Sequence, residues 1–391
     1  MNADNFNALM PITARPPAAM VKGRGSYLWD ERGARYLDFI QGWAVNALGH
    51  CPDVIVNALT HQAKALITPS PALHNGPQWA LAERLVELSG LHQVHFANSG
   101  AEANEAAVKL ARKWAQHHRA GADHIITTEH SFHGRTLAMM AASGKPGWGS
   151  LFPPTVPGFR HVPFGDVAAM RDAITERTMA LMVEPVQGEA GVIVPPSNYL
   201  RDLRRLADEY GLLLIFDEIQ TGVGRLGTFF AFETDAIRPD IVTLGKGLGG
   251  GVPISAMIAA KPACCFEYGD QGGTYNGNPL MTAVALAVVE QVANPHFLAN
   301  VRTNGARLRA GLGELAKQWP IRCIRGVGLL TAIELSDGNA VAVADAAFNE
   351  GLLINAPRPT SIRLMPALNV SGDEIDRACT LLDRAFAKLG R

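Results

Sequence analysis

What most constrains this chain is a repeated alternation of two hydrophobic periods. Between residues 93 and 260 the short apolar runs VHFAN, HIITTE, ALMVEP, LLLIFDE, DIVTLGK and SAMIAA recur, with helix-period segments set among them. Runs this short and this continuously apolar suit strands covered on both faces. QWALAERLVELSG has apolar residues at helical spacing and stops at Gly90. AEANEAAVKLARKWA gathers Ala103, Ala106, Ala107, Leu110 and Trp114 on one helix face. YLRDLRRLADEY does the same with Leu200, Leu203, Leu206 and Tyr210. Strands alternating with amphipathic helices bury both sheet faces when the sheet is mostly parallel and helices cover each side, so the expected class is α/β.

The flanks read differently. Residues 1–20 are dotted with proline and suggest an irregular arm, followed by a hairpin in GSYLWDERGARYLDF that turns at Asp30 to Gly33. Beyond about residue 295, GLLTAIEL, GLLIN and SIRLMPAL read as strands among helices, and Ser371 with Glu374 forms a capping box for the last helix. The expected organisation is an arm and hairpin over 1–50, a large domain over 51–294 and a smaller α+β domain over 295–391, with the arm packing on the smaller domain.

Composition removes several function classes. A formal charge of −1 gives no general pull toward nucleic acid or an anionic membrane. Five cysteines, with no Cys-x-x-Cys, argue against a disulfide framework and a thiolate zinc site, so no metal is expected. The opening MNADNFNALMPITARPPAAM lacks the charged-then-apolar layout of a signal peptide, and no apolar run reaches spanning length, which makes the cytoplasm the default expectation.

Four segments carry chemistry. LLLIFDE ends in Asp217 and Glu218, at the strand end where open α/β sheets bind ligands, although an isolated pair there is more often solvated or capping. DIVTLGKGLGGG leads from a strand to Lys246 among glycines; it fails as a phosphate loop because Gly247, not Ser or Thr, follows the lysine. The alternative to a solvated loop lysine is an amine held out of water, where a depressed pKa frees the nucleophile for a carbonyl. NSGAEANEAA gives a helix capped by Ser99 and Glu102, whose first-turn N–H groups at Gly100 and Ala101 are open to an anion. SFHGRT sets the aromatic Phe132 three residues before the cation Arg135. Taken singly, each has a bland structural reading that is at least as good.

Taken together, NSGAEANEAAVKLAR, FHGRT, VEPVQGE, IFDEIQTGVGRLG, LGKGLGGGVP, TYNGNPL and GVGLL are similar to the class III (ω-amino) aminotransferases of pyridoxal-phosphate fold type I, the aspartate aminotransferase-like fold, from about residue 24 to about residue 385. The Asp-Glu-x-Gln-Thr-Gly block with a lysine 29 positions after its aspartate is the most specific part. Within that family the wording is closest to the branch acting on N-acetylornithine in arginine biosynthesis. The resemblance implies pyridoxal 5'-phosphate as cofactor, N-acetylornithine as amino donor and 2-oxoglutarate as acceptor. It implies that Lys246 holds the cofactor covalently, Asp217 pairs with its ring nitrogen, Gln220 approaches its phenolic oxygen, Gly100 and Ala101 meet its phosphate and Phe132 stacks on its ring. It further implies that Thr274 reaches the phosphate of a second subunit, so that a homodimer shares its active sites. Arg135 would hold the donor's carboxylate, Arg363 a carboxylate of glutamate or 2-oxoglutarate, and Glu189 would be the switchable partner of Arg363.

Three departures stand out. Gly273 replaces a Ser or Thr that contacts substrate in the family pattern, and GHCPD at Gly49 to Asp53 replaces Gly-His-Cys-His-Pro. Thr13 stands about where ornithine aminotransferases carry a tyrosine, which disfavours free ornithine. Competing readings are another ω-aminotransferase (for succinyldiaminopimelate, succinylornithine, ornithine or 4-aminobutyrate), an aminomutase, and a nucleotide-binding α/β protein.

Overall fold

The computed structural model describes residues 8–16 and 18–390, so the expected arm over 1–20 lies partly outside the described residues. The chain then forms an antiparallel meander of β1 (Met20–Arg24), β2 (Tyr27–Asp30) and β3 (Arg35–Asp38). Asp30 fixes the turn: its carboxylate accepts the N–H groups of Arg32 and Ala34 and the Tyr36 hydroxyl at 3.0, 2.8 and 3.0 Å. The GHCPD departure has a local use, because Pro52 precedes the helix Asp53–Ala65 and puts Asp53 in its first turn, where a carboxylate favours the dipole.

The central sheet has seven strands: β4 (Gln93–Ala97), β5 (His124–Thr128), β6 (Phe159–Val162), β7 (Thr178–Val183), β8 (Leu213–Asp217), β9 (Ile241–Leu244) and β10 (Ser255–Ala259). Their spatial order is β4-β10-β9-β8-β7-β5-β6, and every pairing from β9 to β6 is parallel. β10 alone runs against both its neighbours. β7, β8, β9 and β10 are buried at every position, which is why they read as continuous apolar runs. β6 was not legible as a run: its sequence FRHV lies on the sheet edge and only Val162 is buried.

The helix Gly100–His118 packs Ala103, Ala106, Ala107 and Leu110 onto β10, β9 and β4. Its alanines bring the backbone close to the strands, while Trp114 is half-buried, packs against the margin of that core and stacks on His118 at 4.8 Å. On the helix Tyr199–Tyr210, Leu200, Leu203 and Leu206 are buried and Tyr210 is half-buried.

The C-terminal part holds β11 (Ile321–Val327), β12 (Leu330–Leu335), β13 (Leu352–Leu353), β14 (Asn355–Arg358) and β15 (Ser361–Leu364). Four of these form an antiparallel sheet in the order β11-β12-β15-β14. β13 instead pairs in parallel with β3, setting Leu352 opposite Leu37. The last helix, Gly372–Lys388, opens with both bonds of the Ser371–Glu374 capping box, and Ser26 donates to Glu374 at 3.1 Å. All five cysteines are free thiols, and among the described residues no helix is long and apolar enough to cross a membrane.

Candidate active site

Five parallel strands deliver their C-terminal ends to one cavity of about 490 Å³. Ser99, Gly100 and Ala101 follow β4, Phe132 to Thr136 follow β5, Glu184 and Glu189 follow β7, Asp217 closes β8 with Ile219 and Gln220 beyond it, and Lys246 follows β9. A larger concavity of about 650 Å³ lies against β4 and β10, lined among others by Trp79, His95 and Cys264. Volume does not decide between them: only the smaller one collects strand ends, a helix N-terminus and convergent charged groups, the features that mark a ligand site in an open α/β sheet.

Lys246 leaves β9 with a φ of 41°, a conformation that costs a non-glycine residue and persists where the surroundings impose it. Burial pushes its amine below the ordinary lysine value; Glu189 opposes that shift and Arg363 adds to it. Asp217 is 3% exposed and bonded to three protein donors. Its Oδ2 accepts from His133 Nδ1 at 2.7 Å and Asn104 Nδ2 at 2.8 Å, and its Oδ1 from the Ile219 N–H at 3.1 Å. Asn104 is itself oriented, since its Oδ1 accepts the Thr243 hydroxyl and its Nδ2 also reaches the His133 carbonyl, both at 2.7 Å. Burial works to lower the His133 pKa, but its hydrogen bond to Asp217 outweighs that and the imidazole is raised. These orienting residues, His133, Asn104 and Thr243, were missed in the sequence. FHGRT held His133 in plain view, but nothing in the spacing says that it turns toward a strand 84 residues away.

A second cluster faces Lys246. Arg363, in the middle of β15, is 0% exposed. Its Nη2 donates to Glu189 Oε1 and Asn355 Oδ1, both at 2.8 Å, and its Nη1 to Gln220 Oε1 at 3.2 Å. Burial alone would raise the Glu189 carboxyl, but Arg363, Lys246 and Lys145 together hold it down to about 2. Glu184 accepts the Phe132 N–H at 3.0 Å; burial pushes it up to about 7, and the nearby His133 opposes that rise without overcoming it. Glycine is required beside this cluster: a side chain at Gly188 would run into Gln220. Gly134 has φ +140° and its Cβ would come within 2.7 Å of Ala101, so the loop after β5 lies directly against the helix start.

Phe132 meets Trp148 edge-on at 5.8 Å, and the exposed Arg135 lies 4.8 Å from the centre of the Trp148 ring. Gly273 and Thr274 are not brought to this cavity. They sit in the exposed loop before the helix Pro279–Val292.

The N–H groups of Gly100 and Ala101 belong to the first turn, with no intrahelical acceptor. Gln220 Nε2 is a buried donor without a partner among the described residues. An open helix N-terminus, a buried carboxylate, an unpaired amide donor, an aromatic face and a desolvated amine are the set that pyridoxal 5'-phosphate needs for its phosphate, ring nitrogen, phenolic oxygen, ring and aldehyde. The residues therefore fit that cofactor.

Comparison with known proteins adds an independent line. A family model described as aminotransferase class-III matches residues 11–386. An acetylornithine aminotransferase of Ralstonia nicotianae is 53% identical over 382 residues, 96% of each chain. The crystal structure of an N-acetylornithine aminotransferase from Stenotrophomonas maltophilia has a TM-score of 0.85 at 36% identity, over 96% of this chain and 97% of that one. An ornithine aminotransferase from Toxoplasma gondii, described with partial occupancy of pyridoxal phosphate at its active site, has a TM-score of 0.95 at 33% identity, over 99% and 93%.

Proposed function

The chain belongs to the class III aminotransferase family, and from that premise we propose that it transfers the terminal amino group of N-acetylornithine to 2-oxoglutarate, giving N-acetylglutamate 5-semialdehyde and glutamate, a step of arginine biosynthesis. Class III aminotransferases use pyridoxal 5'-phosphate, and this chain does so. The observation that carries the substrate reading is the Glu189–Arg363 pair at 2.8 Å beside Lys246. One pocket must accept a donor with an uncharged chain beside its reacting amine and an acceptor with a carboxylate at the corresponding place. A buried arginine left open would suit the acceptor and stand unpaired against the donor, and an unpaired desolvated charge is costly.

In this reading Gly100 and Ala101 hold the cofactor's phosphate, Gln220 its phenolic oxygen and Phe132 one face of its ring. Asp217 pairs with the ring nitrogen, and His133 and Asn104 hold its carboxylate aimed. When bound, the cofactor supplies an electron sink for the pair left behind as the substrate carbon loses its proton. Lys246 Nζ would take that proton and return it to the cofactor's C4′, two bonds along, a task for which burial lowers its pKa from the ordinary lysine value. Arg135 holds the donor's carboxylate. Glu189 neutralises Arg363 while the donor is bound and gives it up to the acceptor.

The active unit in this reading is a cytoplasmic homodimer in which Thr274 serves the partner's phosphate. Its support is that Thr274 is exposed in a loop tied to the face bearing Leu73 and Trp79, through Asn75 donating to the Gly277 carbonyl at 3.1 Å. Leu73, Trp79 and Tyr275 are 61%, 57% and 63% exposed there, an apolar patch of the kind that marks a contact surface. The test of the function is a half-reaction panel. Cofactor-loaded enzyme is mixed with N-acetylornithine, ornithine, N-succinylornithine, N-succinyldiaminopimelate or 4-aminobutyrate, without acceptor, and the loss of the lysine-bound cofactor's absorbance is followed. N-acetylornithine should react with the highest kcat/KM; a clear preference for another donor would replace the assignment.

A further inference from the structure

Glu189 has two charged neighbours outside the lysine loop, and only one of them has a role so far. Its Oε1 is 2.8 Å from Arg363, while its Oε2 is 3.8 Å from Lys145 Nζ. Lys145 is held in place from behind. The loop that carries it is clamped to the end of β5, with the His130 N–H donating to the Gly144 carbonyl at 2.7 Å and the Gly144 N–H to Ser131 Oγ at 3.1 Å. Its ammonium lies 4.7 Å from the centre of the Phe132 ring and 5.0 Å from that of Trp148. The two rings attract the cation and keep water from one side of it. Its side chain is 22% exposed, and burial pushes its pKa below the ordinary lysine value, with Glu189 opposing that shift.

The two cations are provided for unequally. Arg363 keeps Asn355 and Gln220 as partners when Glu189 leaves. Glu189, a quarter exposed and ionised, needs another cation beside it when it leaves Arg363, since a stranded carboxylate is expensive. Lys246 also acts on it but is committed to the proton transfer, so outside the lysine loop Lys145 is the cation in reach. A movement of about 1 Å closes the present gap to the length of a charge-assisted hydrogen bond.

We propose that Lys145 is a positioning residue, the second anchor that receives Glu189 when an acceptor carboxylate takes Arg363, so that the switch has two fixed ends. This rests on reading Glu189 and Arg363 as a switch. Lys145 then acts on the acceptor through Glu189 without touching it, and Phe132 and Trp148 act by holding Lys145.

The test is a double-mutant cycle read by binding. Cofactor-loaded enzyme is titrated with glutarate, an unreactive dicarboxylate with the chain length of the acceptor, in wild type, Lys145→Met, Glu189→Gln and the double variant. Lys145→Met should weaken glutarate about tenfold in the wild-type background and leave it unchanged in the Glu189→Gln background. Lys145→Arg should restore binding to within about threefold, since the charge and reach return. In single-turnover half-reactions, Lys145→Met should raise the concentration of 2-oxoglutarate needed for half-saturation by a similar factor, and that of N-acetylornithine by much less. An equal loss of glutarate binding in the Glu189→Gln background would mean that Lys145 touches the acid directly, and would overturn the proposal. An equal loss in both half-reactions would overturn it as well. If Glu189→Gln itself left glutarate binding unchanged while Lys145→Met weakened it, the switch reading would fail, and the second anchor with it.

Discussion

Removing the charge of Glu189 while keeping its shape should separate the two half-reactions. In Glu189→Gln the Arg363 guanidinium stays buried, with Asn355 and Gln220 still bonded to it, but loses its anionic partner. The carboxyl of Glu189 is held from 4.5 down to about 2 by its surroundings. That lowering corresponds to roughly 3 kcal/mol, with Arg363 the first of the cations responsible. It is a net figure, since burial opposes it and Arg363 shares the lowering with Lys246 and Lys145. About half of that figure gives a gain of about tenfold in affinity for 2-oxoglutarate in the variant. The donor should move the other way, with kcat/KM for N-acetylornithine falling about tenfold or more, because its chain now faces an unneutralised buried cation. Glutamate, whose α-carboxylate can occupy the freed arginine, should improve relative to N-acetylornithine. The assay is rapid mixing of each half-reaction on its own, since steady-state ping-pong kinetics combine the two. Equal slowing of both half-reactions would refute the reasoning and reduce Glu189 and Arg363 to shaping the pocket.

Three further outcomes follow from the geometry. Asp217→Ala should lose about 3 kcal/mol or more of transition-state stabilisation, roughly a hundredfold in kcat, measurable in either half-reaction, and should also lower the melting temperature, because His133 and Asn104 lose their buried acceptor. Mixing an inactive Lys246→Ala chain with an inactive Thr274→Ala chain should return part of the activity, because one site of each heterodimer then has both residues; verified heterodimers without recovery would count against shared sites. The proton-transfer limb of the donor half-reaction should rise with pH and level off below the range of an ordinary lysine, since burial lowers Lys246. In Glu189→Gln that limb should move lower still, because the lost carboxylate was raising the lysine's pKa, and a pH profile of single-turnover rates in the two proteins checks the sign.

Much of the fold was legible because its central strands are buried on both faces. The runs ending in Asp217 and Lys246 had no exposed positions to interrupt them, so strand, strand end and functional residue could be read together. β6 and β14 were not legible, because FRHV and NAPR lie at sheet edges and carry mixed side chains there. The direction of β10 could not be read either, since an apolar run of five residues looks the same whichever way it pairs. In the site, residues with a local signature were found: a capping box, a glycine-flanked lysine, an acidic strand end. His133, Asn104 and Lys145 were not, because each acts on a carboxylate far from it in the chain, and only the folded sheet brings them together. Thr274 shows the opposite limit: its motif was plain in the sequence, while its place lies at the surface of a single chain.

The central claim is that Lys246, in this cavity, carries the cofactor and surrenders it to N-acetylornithine. Borohydride reduction of the cofactor-loaded enzyme, followed by digestion and peptide mapping, tests it directly, with a parallel sample first exposed to excess N-acetylornithine without acceptor. The account predicts a stable pyridoxyl label on Lys246 in the first sample and its loss in the second. A label on any other lysine, or a Lys246 label that N-acetylornithine leaves untouched, would contradict it.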